Sequence, residues 1–146
     1  MARIVALDVG DATIGIAATD ELRLIASPVR TIRRARGVKA DLRAVEDALR
    51  ELDACKVVIG LPLDSEGEEG IQARKVKDFS DRLSKRLAIP VELWDERFST
   101  ADAEERMIGM DTSRAGRRER IHAAAAAVVL ESYVKEAEGR EQRAES

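Results

Sequence analysis

Two short apolar runs, residues 4–7 and 14–18, lie either side of a segment reading Asp8-Val9-Gly10-Asp11-Ala12-Thr13. Runs of this length, rich in Val and Ile and separated by Gly and Asp, predict buried strands joined by a tight turn rather than a helix. A sheet must therefore begin at the start of the chain, and Asp8 must sit at the end of its first strand. Removing an unpaired carboxylate from water is expensive. Asp8 thus calls for a partner or a cation from elsewhere in the chain.

The rest of the pattern says where that partner comes from. Residues 13–19 read as a second strand and residues 24–31 as a third, with Pro28 favouring an edge position. The period then changes: Val38, Leu42, Val45, Leu49 and Leu52 form a helical stripe. Residues 56–60 predict a short buried strand. Val76, Phe79, Leu83 and Leu87 mark a second helix that stops before Pro90, and residues 91–96 a fifth strand. Ser99 to Asp102 resembles a capping box opening a helix to about residue 110. A loop at 111–118 precedes a last helix at about 119–136, and residues 139–146 read as a disordered tail behind a single domain over residues 1–138.

The element order is β-β-β-α-β-α-β-α-α. Crossover helices make the fourth and fifth strands parallel to one another, and right-handed connections restrict where they sit relative to a central first strand. The expected architecture is a five-stranded mixed sheet of order 3-2-1-4-5 with helices on both faces. Asp8, Gly60, Asp95 and Glu96 then share the C-terminal edge of the parallel strands, where open α/β sheets place their ligands. Carboxylates gathered there repel unless a cation lies between them, and Mg²⁺ suits oxygen donors and phosphate substrates. Asp95 and Glu96 point to opposite faces of an extended strand, so one of the two meets Asp8, and spacing alone leaves either open. His122, the one histidine of the chain, precedes a run of five alanines and shares a helical face with Ala125, Ala126 and Val129. It is a third candidate ligand, against the commoner alternative of a packed structural histidine.

The net charge of −3 does not advertise a nucleic-acid binder. The basic residues are clustered, however: Arg30, Arg33, Arg34, Arg36 and Lys39 in one group, Arg114, Arg117, Arg118 and Arg120 in another. Such clusters serve either as solvated helix faces or as phosphate grips. Gly10, Gly60, Ser99 and Thr100 are candidates to touch substrate from loops at the same edge. With 45% hydrophobic residues but only 3% aromatic, the core must be aliphatic. A single Cys55, with no apolar run near the roughly 20 residues of a membrane helix, predicts a cytoplasmic protein with no membrane partner. Monomer and homodimer both remain open.

The fragments ALDVG, IGIAATD, GLP, DERFST and IHAAAAAVVLESYV occur in the order found in the YqgF/RuvX family of Holliday junction resolvases and ribosomal RNA nucleases, and the resemblance runs from about residue 2 to 134. It implies a ribonuclease H-like fold and a metal-dependent nuclease of the bacterial cytoplasm. The family is associated with maturation of the 5′ end of small-subunit ribosomal RNA and with junction cleavage. Its acids correspond to Asp8 and Glu96. The family usually carries an aspartate where this chain has His122, and an arginine where it has Thr13. The resemblance therefore implies Asp8, Glu96 and His122 as catalytic metal ligands, with Asp95 as second choice. Imidazole would favour Mn²⁺ beside Mg²⁺. It further implies structured RNA or branched DNA as partner, gripped by Arg114, Arg117, Arg118 and Arg120 with Arg33 and Arg34. Two other classes compete. ALDVGDATIGIA also resembles the phosphate loop of actin-like ATPases and sugar kinases, but 146 residues supply only one of the two domains those proteins close on a nucleotide. A non-catalytic nucleic-acid-binding module of the same fold would keep the sheet and lose full ligation, and His122 is the residue that raises it.

Overall fold

In the computed structural model the backbone is described for residues 2–96 and 114–145, and side chains for residues 2–96 and 121–137. Five strands, β1 (Arg3–Val9), β2 (Thr13–Thr19), β3 (Ala26–Arg33), β4 (Ala54–Leu61) and β5 (Val91–Asp95), form one sheet of order β3-β2-β1-β4-β5. β1 pairs antiparallel with β2 and parallel with β4, and β4 pairs parallel with β5. The expected strand order and pairing directions are met. Pro28 lies on the edge strand, beside a register shift between Ile16 and Ala17 that absorbs its missing donor.

Helices α1 (Val38–Glu51) and α2 (Ile71–Arg86) cover one face, and α3 (Arg114–Glu145) covers the other. Strand alternation sorts the core. Val5, Leu7, Ile14, Ile16, Val57 and Ile59 pack with Leu42, Val45, Leu49, Val76, Phe79 and Leu83. Ala6, Ala17 and Val58 meet the buried alanines of α3, with Leu130 and Tyr133. Small residues on both sides of that second interface bring helix and sheet backbones close together. Gly15 marks the closest point: a Cβ there would lie 2.1 Å from the His122 carbonyl carbon and oxygen, so no larger residue fits unless α3 moves.

Several boundaries differ from the sequence expectation: β4 is longer at both ends and β5 stops at Asp95, short of Glu96. β3 starts at Ala26 because the Asp20 carboxylate accepts from the Leu24 and Ile25 amides (2.8 and 3.2 Å), holding them in a turn with their side chains exposed. α2 starts at Ile71, ahead of its apolar stripe, because Ile71 itself is exposed and leaves no periodic signal. α3 begins at Arg114, inside the expected loop, and its backbone continues to Glu145 across the expected disordered tail. Arg, Glu, Gln and Ala are strong helix formers, and the glycines at 116 and 139 cost only about 1 kcal/mol each, too little to end a helix this long. The helix expected at 99–110 lies outside the described residues. Among those residues no helix is long and apolar enough to cross a membrane.

Beside Trp94, which packs edge-on against Tyr133, Lys56 sits over the Tyr133 ring and bonds to its hydroxyl and to Glu92 at 2.7 Å. Glu92 first, then Tyr133, raises the Lys56 pKa above its ordinary 10.5, against the opposing effect of burial. A raised lysine pKa stabilises the fold fully below the unfolded value and loses that contribution as pH climbs through the folded one. Urea unfolding at about pH 9 and about pH 11.5 should show this loss, at most about 1 kcal/mol for a partly exposed pair, and Glu92→Gln should diminish it.

Candidate active site

The parallel pairing places Leu7 beside Ile59, Gly60 beside Trp94, and Leu61 beside Asp95, so β1, β4 and β5 end together. Asp8 lies opposite Gly15 in the β1–β2 ladder, on the face that α3 covers. The close approach of α3 at Gly15 delivers His122 to the same spot, with its Nδ1 3.2 Å from Asp8 Oδ2. Asp8 is mostly buried and His122 about two-fifths exposed, so the pair is anchored at its carboxylate and open at its ring.

Glu96 follows β5 directly and folds back over Gly60. A Cβ at residue 60 would lie 2.5 Å from Glu96 Oε1 and 2.9 Å from its Cγ. Glycine there leaves the cradle into which the carboxylate fits. Asp8, Glu96 and His122, together with Val9, Gly10, Asp11, Pro62 and Gln72, line one cleft of about 260 Å³. Strand alternation gives the face of Asp95, the last residue of β5, while Glu96 lies beyond the strand's end. Leu93 packs with α1 and α2, Trp94 with α3, and Asp95 falls with Leu93, away from the cleft.

The donor set consists of three carboxylates and one imidazole, with no Lys or Arg among the described lining residues. Asp11 is the outermost acid and pairs with Lys75 at 3.2 Å in exposed positions. The carboxylates would repel a polyanion, and a cation held between them would offset that repulsion. Oxygen donors plus imidazole suit Mg²⁺ or Mn²⁺, and the Gly60 cradle sets Glu96 in the same cleft as Asp8. Among the described residues, no group of three such side chains is already arranged to hold a metal ion. Asp8, Glu96 and His122 would have to close up around one.

The remaining expected site residues divide. Gly10 lines the cleft and Gly60 underlies Glu96. Arg33 is exposed at the end of β3, level with Thr13 at the start of β2, and Arg36 and Lys39 are exposed beyond it. Arg34, expected to reach outward, is instead turned inward to Asp41 and the Gly10 carbonyl. The Thr13 hydroxyl is buried with no hydrogen-bond partner among the described residues. Arg114, Arg117, Arg118 and Arg120 fall on the first turns of α3, where only the backbone is described, and Ser99 and Thr100 lie outside the described residues. In the turn after Gly60, the Glu66 and Glu68 amides donate to the Asp64 carboxylate (2.9 and 2.8 Å), so those two are not available to a phosphate.

Two residues escaped the sequence reading. Gln72 donates to the Val9 carbonyl at 3.3 Å from the first turn of α2, a position visible only once α2 is known to begin before its stripe. Gly15 had a signal, since a glycine inside a β-branched strand marks a close backbone approach.

Comparison with known proteins agrees with this fold. A pre-16S rRNA nuclease of Myxococcus xanthus is 42% identical over 132 residues, covering 90% of this chain and 87% of that protein. One of Caldanaerobacter subterraneus is 43% identical over 133 residues, covering 90% and 95%. T. thermophilus RuvC in complex with a Holliday junction substrate superposes with a TM-score of 0.65 over 95% of this chain and 97% of that one, at 14% identity, a likeness of ribonuclease H-like fold. The RuvX family, described as Holliday junction resolvase, matches residues 2–136, and the chain belongs to it.

Proposed function

We propose that the cleft is the active centre of a nuclease that hydrolyses phosphodiester bonds in structured nucleic acid with the help of a divalent cation. Its main substrate is the 5′ end of the small-subunit ribosomal RNA precursor in the cytoplasm, with branched DNA as a second. The observation that carries this reading is the meeting of Asp8, Glu96 and His122 in one acidic cleft at the sheet edge. Family membership and the names of the relatives support the substrate class.

Asp8 and Glu96 would hold Mg²⁺ or Mn²⁺, which when bound neutralises the scissile phosphate and acidifies a water for attack. The chain's own side chains do the positioning. His122 Nδ1, 3.2 Å from Asp8 Oδ2, holds the ring against the carboxylate and turns Nε2 toward a water or the cation. The loss of one negative charge relative to the family's aspartate makes this a less acidic centre. Gln72 braces the Val9 carbonyl behind Asp8. Arg33, Arg36 and Lys39 extend from the sheet edge as a phosphate track, and Arg114, Arg117, Arg118 and Arg120 of α3 would form a second grip.

The test compares a precursor rRNA fragment, single-stranded RNA and a four-way DNA junction, each with Mg²⁺, Mn²⁺ or chelator. Cleavage of the first, dependent on cation, is expected. Binding without cleavage under every condition would leave a nucleic-acid-binding module in place of the enzyme.

A further inference from the structure

Arg33 and Arg34 are neighbours in sequence and opposite in situation. Arg33 is exposed, whereas the Arg34 side chain is only 19% exposed and sits against Asp41, which is 6% exposed. Arg34 Nε donates to Asp41 Oδ2 at 2.9 Å and Nη1 donates to the Gly10 carbonyl at 2.7 Å. Its guanidinium carbon lies 5.4 Å from the Phe79 ring centroid, and its backbone amide donates to Ala12 at 2.9 Å. One side chain therefore ties the end of β3 to α1 through Asp41, to α2 through Phe79, and to the β1–β2 turn through Gly10. That turn is a wall of the cleft: Val9, Gly10 and Asp11 line it next to His122.

We infer that Arg34 is a positioning residue, which fixes the Gly10 turn against the catalytic pair and makes no contact with nucleic acid. Resting on the nuclease reading of the same cleft, the inference goes beyond it by naming what holds the cleft's shape. The planar fork is essential to the role. Arginine reaches a carboxylate and a carbonyl at once in fixed geometry, whereas a lysine ammonium in the same place satisfies Asp41 and gives up Gly10. Removing the charge altogether would strand Asp41 as a buried unpaired carboxylate and endanger the fold.

Arg34→Lys is thus the decisive variant, because it keeps Asp41 neutralised. Three readouts apply, using whichever of the three nucleic acids above the parent cleaves. Single-turnover cleavage should fall by about 10- to 100-fold, with the dissociation constant and its salt slope unchanged. Amide exchange at Gly10, whose N–H donates to Thr13 at 2.8 Å, should quicken about tenfold while amides of β4 keep their protection. Weaker binding with a salt slope flatter by about one would make Arg34 a phosphate contact and overturn the inference. Unchanged Gly10 exchange, or an unchanged rate per folded molecule, would overturn it as well. A parent that cleaves none of the three substrates would remove the nuclease reading, and Gly10 exchange alone then decides whether Arg34 holds the turn.

Discussion

Asp8→Asn should lower the cleavage rate by about 1000-fold or more, since a cation held by carboxylates contributes several kcal/mol to the transition state. The fold should survive. Asparagine matches the shape of aspartate, and the residue stands near the end of β1 in a cleft already lined by Asp11 and Glu96. Taking one negative charge from that cluster relieves repulsion, so the cation-free variant should unfold at the same temperature as the parent or slightly above it. The measurement pairs single-turnover cleavage with thermal unfolding. An Asp8→Asn protein that cleaves at the parental rate would remove Asp8 from the chemistry.

Gly60→Ala should cost about 100-fold in rate with little loss of stability. The added methyl would meet Glu96 Oε1, Cγ and Cδ at 2.5, 2.9 and 3.1 Å. Those atoms belong to the far end of a flexible side chain, which can swing out into solvent and leave the sheet undisturbed. What is lost is the carboxylate in the cleft. Glu96→Gln at the same position in space should reproduce the loss, and the double variant should be no worse than either single one, because both changes remove one interaction. A Gly60→Ala protein as active as the parent would show that Glu96 acts from a different position.

The strand order, and with it the arrival of Asp8 and the Asp95-Glu96 segment at one sheet edge, follows from crossover rules acting on clear apolar runs. The choice between Asp95 and Glu96 could not be made from spacing, because it depends on where β5 ends. The strand closes at Asp95, and Glu96 turns back over Gly60. Arg34 was misleading for a related reason. Its neighbours in sequence are exposed and basic, and only the packing of α1 and α2 reveals the buried Asp41 and the Phe79 ring that draw it inward. Leu24 and Ile25 look like strand residues by composition, yet a local hydrogen bond from each amide to Asp20 outweighs their β propensity.

On the proposed reading the divalent cation is held in the acidic cleft and at no other acid cluster among the described residues. Paramagnetic Mn²⁺ titrated into isotope-labelled protein tests it directly, because it broadens only the amide signals near the bound ion and detects even weak sites. Broadening should begin at Asp8, Gly10, Gly60 and Ala123, and Asp8→Asn should abolish it there. Broadening centred instead on the acid-rich turn at residues 64–69 would place the cation there, and broadening undiminished at the cleft in Asp8→Asn would remove Asp8 as its ligand.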